Sequence, residues 1–244
     1  VCKSKKYQKG FIMIIRSTEN QEIPLFERFK QEIRFCDLQG LMFGVPRERI
    51  ETALTTHEFL PLTGIEAVQL DTAETIEMAH TAFPAIIWRL KKRFCMALQS
   101  ELFLITHFKG YHHIEEIGLS ENVNISFTPR WILTDEELAT WWKERKGTIQ
   151  TKAMYEARPR QHRTIFDNVL ESRGVDWGGN IDGVIFNDET KPIAILETRC
   201  SHRDSVNSYN PAIYFHGTAR KSGDYMTWLP PWYLARTLKI PLFL

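Results

Sequence analysis

The chain has 244 residues, 43% of them hydrophobic and 25% charged, with a mean hydropathy of −0.30. These are the proportions of a folded globular protein, long enough for one large domain or two small ones, and they argue against wholesale disorder. A net charge of +1 excludes a global electrostatic pull on a polyanion, so any nucleic-acid partner has to be met by local charge.

Taken in chain order, Phe26 to Cys36 (FERFKQEIRFC) has the apolar spacing of a helix, and the glycines and proline of GLMFGVP break it. Asp71 is positioned to cap a helix through TAETIEMAH. Pro84 should kink or end that helix before AIIWRLKKRFCMALQSEL resumes the pattern. Phe103 to Phe108 (FLITHF) reads as a strand, and Asn122 to Phe127 (NVNISF) as a second. Thr134 and Glu137 form a capping box that opens a helix TDEELATWWKERK, which stops at Gly147. Of the adjacent Trp141 and Trp142, one is expected in the core and the other elsewhere. Gly147 to Arg160 loses apolar periodicity and gains basic residues, which marks a junction. Residues 1–148 are thus expected to be a mostly helical region for recognition or dimerisation, and 149–244 a second domain.

Beyond the junction, HRTIFDNVLESRG predicts an amphipathic helix with Ile165, Phe166, Val169 and Leu170 inside and Gly174 closing it. Ile181 to Phe186 reads as a strand, PIAILETRCS as another, and the tight NDETKP turn between them makes an antiparallel hairpin. WYLARTLKI predicts a helix and PLFL a strand. Trp228, Trp232 and Tyr233 are read as core. The fold class is α/β (mixed α+β).

Several chemistries find no support. Cys2, Cys36, Cys95 and Cys200 are scattered without a CxxC pair, which excludes a sequence-local zinc module and suits a reducing cytoplasm. There is no glycine-rich phosphate loop and no GxSxG elbow. His112 and His113 precede Glu115 and Glu116, but neighbours on a strand face opposite ways, so no shared metal is expected there. His202 and His216 lack ligand spacing. No run is apolar for long enough to span a bilayer. The basic and apolar opening VCKSKKYQKGFIMII is interrupted by Arg16, and with Val1 first, Met13 or an upstream residue is expected as the start.

The chemistry concentrates in the hairpin. Asp182 sits early in its first strand and Glu197 late in its second, so an antiparallel fold can set the two carboxylates side by side. Such a pair is a donor set for a hard cation, and Mg²⁺ with its retained waters is the ion that phosphodiester hydrolysis uses. Arg199 lies two positions on, on the same strand face. Asp182, fourteen intervening residues and then Glu197-Thr198-Arg199, preceded by a helix, resemble the PD-(D/E)XK nuclease superfamily over roughly the last 90 residues.

That resemblance implies a restriction-endonuclease-like core and Mg²⁺-dependent cleavage of DNA, with Mn²⁺ able to substitute. Asp182 and Glu197 would bind metal. Asp167, or Glu171 one turn later, would be the third acid from the preceding helix. Arg199 stands where the family usually has lysine. It can clamp a phosphate in bidentate fashion but orients water less well as a point charge. An inactive nuclease-fold protein that binds nucleic acid or serves as an assembly subunit is therefore the alternative. Arg160, Arg163, Arg203, Arg220 and Lys221 are candidates for phosphate contacts, and Lys221 also for the missing ammonium. Symmetric cutting of duplex DNA usually takes two sites, which would suit a homodimer.

Overall fold

The computed structural model describes residues 12–13, 34–37, 42–44, 47–70, 75–146, 165–175, 179–197, 217–218, 221–222 and 225–243. In chain order the first elements are β1 (Ile12–Met13), β2 (Arg34–Asp37), β3 (Met42–Gly44), α1 (Arg47–Thr56) and β4 (Thr63–Gln69). A 3-10 helix (Ile76–Thr81), α2 (Ala85–Ala97), β5 (Glu101–Phe108), β6 (Tyr111–Leu119) and β7 (Ile125–Leu133) follow. Then come α3 (Asp135–Lys146), α4 (Ile165–Ser172), β8 (Gly179–Asn180), β9 (Gly183–Phe186) and β10 (Pro192–Leu196). The chain closes with β11 (Gly217–Thr218), β12 (Lys221–Ser222), α5 (Tyr225–Leu238) and β13 (Leu242–Phe243). The mixed α/β class expected from the sequence holds. No helix among the described residues is long and apolar enough to cross a membrane.

The chain forms two compact units. One comprises Val1–Asp37 with Ile181–Leu244, and the other, inserted between those segments in sequence, comprises Leu38–Asn180.

The inserted unit is built on a six-stranded sheet in the order β7-β6-β5-β4-β3-β8. β4 and β5 run parallel, whereas β5, β6 and β7 form an antiparallel meander. One face of this sheet, carrying Ile65, Phe103, Ile105 and Ile114, is buried against Leu138, Trp141 and Trp142 of α3 and Phe166, Val169 and Leu170 of α4. The opposite face meets α2, where Lys91 is fully buried and donates to Glu66 of β4 while lying 3.8 Å from the Phe83 ring centre. Gly64 permits that approach, because a Cβ there would stand 2.8 Å from Cys95 Sγ. Burial pushes the Cys95 thiol up to about 12, which makes it an inert core group.

Several details of this unit differ from the sequence reading. Among the described residues of 1–148, strands are as prominent as helices, because β3 to β7 build most of the six-stranded sheet. The division falls at 37/38 and 180/181, not at 148/149. The reason is that α4 buries Phe166, Val169 and Leu170 in the same core as α3. Both tryptophans are buried, since the sheet and α4 together enclose a wide stripe of α3; Trp142 meets Phe166 edge-on at 6.2 Å. In the other unit, Arg34–Asp37 is a strand paired with β9, although helical spacing was expected over Phe26 to Cys36. Residues 26–33, Asp71 and the junction at 147–160 lie outside the described residues. Pro84 separates the 3-10 helix from α2, the ending alternative expected of it, and starts α2 from an extended N-cap conformation. The second strand begins only at Ile125, after Val123 turns the chain with φ 63°. The capping box forms: Thr134 N–H donates to Glu137 Oε2 at 2.8 Å, and Glu137 N–H to Thr134 Oγ1 at 3.4 Å.

Buried polar groups in this sheet recruit partners from remote segments. Glu115 accepts from His80 at 2.8 Å, and the His80 ring stacks on Phe127. His112 Nε2 meets Asp135 Oδ1 at 2.9 Å, and Arg173 reaches Glu136 at 2.8 Å. Burial holds His112 below the ordinary 6.5 and outweighs the Asp135 bond, which acts the other way. The unfolded chain therefore binds this proton first as pH falls, and native stability falls with it. The expected outcome, with chelator present, is a urea midpoint that drops between about pH 7 and about pH 5, with a shallower drop in His112→Gln. An identical slope in the variant would contradict the assignment.

Candidate active site

The other unit carries a five-stranded sheet in the order β1-β13-β10-β9-β2. At its centre is the β9–β10 hairpin. Asn187 organises the turn, accepting the Lys191 N–H on its side-chain oxygen at 2.9 Å, while its own N–H donates to the Lys191 carbonyl at 3.0 Å. β13, which follows α5 in the chain, pairs in parallel with β10, with Ile195 against Leu242 and Leu196 against Phe243.

The register of the hairpin decides what the carboxylates do. Ala194 pairs with Ile185, Ile195 with Val184 and Leu196 with Gly183. The ladder ends at Leu196 and Gly183, and one further step of the same count would set Glu197 opposite Asp182. Near the turn the count differs: Pro192 pairs with Phe186, and the register shifts by one between Pro192 and Ala194. Ile193 is the extra residue and is 42% exposed. Without it, Asp182 would oppose Leu196 and the two carboxylates would point to opposite faces, because side chains alternate with period two.

The backbone holds Glu197 in place. Its N–H donates to the Phe243 carbonyl at 2.9 Å, as the Ile195 N–H does to Pro241 at 3.0 Å, so the sheet bonding continues through the carboxylate position. On the face shared with Asp182 and Glu197, alternation places Val184, Ile195 and Leu242, all fully or almost fully buried. The reverse face carries Ile185, Ala194 and Leu196, packed with Phe243. Glu197 itself is 8% exposed and Asp182 is half-buried. The pair thus stands at the end of a strand whose two faces are both apolar.

Of the residues expected at the site, Asp182 and Glu197 flank the last paired step of the hairpin, Gly183 with Leu196. Asp167 is on α4, within the 38–180 unit, and its side chain lies outside the described residues. So do Arg199, Arg160, Arg163, Arg203, Arg220 and the side chain of Lys221 on β12. Among the described residues no three His, Cys, Asp or Glu side chains gather as a metal set. The two carboxylates offer oxygen donors only. That chemistry fits Mg²⁺, which takes one or two carboxylates and keeps its waters, better than a soft ion. The sequence reading missed the bulge at Ile193. Its one sequence signal is the odd residue between the turn and the apolar run, Pro192-Ile193 before Ala194.

Comparison of the chain with protein-family models, with curated proteins and with solved structures returns no match.

If the sheet fixes Glu197, its amide proton should exchange as slowly as those of Ile195 and Leu196. Exchange at the rate of the exposed turn residues Asp188 and Glu189 would mean that the carboxylate hangs on a frayed end.

Proposed function

We propose that this protein is a metal-dependent endonuclease that hydrolyses DNA phosphodiester bonds, with Asp182 and Glu197 as its metal-binding pair. The observation that supports it most is the bulge-shifted register, whose continuation by one step would align the two carboxylates on one sheet face at the open end of the hairpin. The order of acid, hairpin and E-x-R is that of the PD-(D/E)XK nucleases, which this segment resembles.

Mg²⁺, when bound, supplies charge neutralisation at the phosphate and activation of water. Asp182 and Glu197 provide its protein oxygens, and Glu197 presents them from a backbone tied to β13. The buried Val184, Ile195 and Leu242 close the floor behind the pair and keep bulk water from approaching through the sheet. Arg199 steadies the phosphate through its guanidinium, and Arg160, Arg163, Arg203, Arg220 and Lys221 take backbone phosphates. The protein works in the cytoplasm, in keeping with its scattered thiols, and cuts duplex DNA as a homodimer.

Arg199 favours a second reading, in which the same fold binds nucleic acid without cutting it, since arginine neither gives up its proton nor acts as a compact point charge. The test is plasmid and single-stranded DNA incubated with a Mg²⁺ or Mn²⁺ series. Metal-dependent fragments are expected from the parent, and background only from Asp182→Asn and Glu197→Gln. Cleavage by both variants at the parent rate would sink the endonuclease reading. DNA retention with no cleavage under either metal, together with cleavage gained in Arg199→Lys, would favour the binding protein.

A further inference from the structure

Within the six-stranded sheet, His107 of β5 and His112 of β6 are directly opposite in the antiparallel register. They therefore project from the same face, the one covered by α3 and α4. Their ring centres are 4.8 Å apart with planes inclined at 54°. His112 is fully buried. In both rings Nδ1 is inaccessible to solvent and takes no hydrogen bond. Both rings line one small cavity of ≈ 10 Å³, together with Gln69, Ile105 and Phe166. That is room for about one water or one ion.

We propose that His107 and His112 bind a divalent cation of the zinc type through their two Nδ1 atoms. Both unpartnered nitrogens belong to rings that line this one cavity, so a single occupant there is within reach of both rings. The far side of His112 shows which kind. Its Nε2 is engaged by Asp135 Oδ1 at 2.9 Å, and Arg173 stands 3.5 Å from Asp135 Oδ2. A carboxylate that accepts from the other ring nitrogen fixes the tautomer and leaves the Nδ1 lone pair facing inward, the usual support of a metal-bound imidazole.

Two imidazoles bound to one tetrahedral ion at about 2.0–2.1 Å would have ring centres roughly 5 Å apart, close to what is seen. Imidazole suits Zn²⁺, Co²⁺ or Ni²⁺, whereas Mg²⁺ and Mn²⁺ prefer the oxygens of the hairpin, so chemistry separates this site from Asp182 and Glu197. Water would complete the coordination. The cation would tie β5 to β6 and, through Asp135, to the first turn of α3.

The test is histidine ¹⁵N NMR on the full chain carrying Asp182→Asn and Glu197→Gln, titrated with Zn²⁺. Equimolar zinc is expected to move the Nδ1 resonances of His107 and His112 together, leave His80 and His113 in place, and raise the melting temperature. His107→Gln, at the half-buried partner, should abolish both effects while the fold is retained. Unchanged His107 and His112 resonances at excess zinc, as for a water shared by the two rings, would overturn the proposal. So would zinc shifts confined to other histidines.

Discussion

A β-bulge at Ile193 governs the hairpin on which the proposed chemistry stands. Below it the strands pair with one count, and above it with another, and only the second count, continued by one step, would put Asp182 and Glu197 on the same face. The upper register is held from both sides: β2 pairs with β9 through Asp37 and Gly183, and β13 pairs with β10 through Phe243 and Leu196. Slipping by one residue would carry Val184 and Ile195, both fully buried, out of their layer. Burying such side chains stabilises by about 1.5–3 kcal/mol each, so the core enforces the alignment of the carboxylates.

The inserted unit handles polar groups differently. Glu66, Glu115 and His112 are buried within its sheet, and each is met by a group from elsewhere: Lys91, His80 and Asp135. Removing one partner from such a buried pair leaves an uncompensated group and is far more costly than breaking a surface ion pair. These contacts tie the 3-10 helix, α2 and α3 to particular strands, and so specify where each helix docks.

Legibility in the sequence followed how local the determining interactions are. The hairpin, α3 with its capping box, and α4 were readable because alternation, turn residues and caps act within a few positions. β2 was not, since Arg34 and Phe35 owe their strand conformation to Phe186 and Ile185, about 150 residues away in the chain. β6 carries His112, His113, Glu115 and Glu116 and looks too polar for a central strand. Its buried members are tolerable only because of partners that no sequence window contains. Burial of both Trp141 and Trp142 likewise depends on α4 arriving from residues 165–172. At the candidate site, the two carboxylates were legible as the ends of a hairpin, whereas the bulge that aligns them was not.

The most direct measurement is Mn²⁺ binding followed by electron paramagnetic resonance in the parent, Asp182→Asn and Glu197→Gln. Mn²⁺ favours oxygen ligands and reports on the hairpin pair without requiring substrate. The parent should take up Mn²⁺, and each single substitution should weaken uptake by at least about tenfold while the protein stays folded. Parent-like binding in both folded variants would contradict a metal held between these two carboxylates.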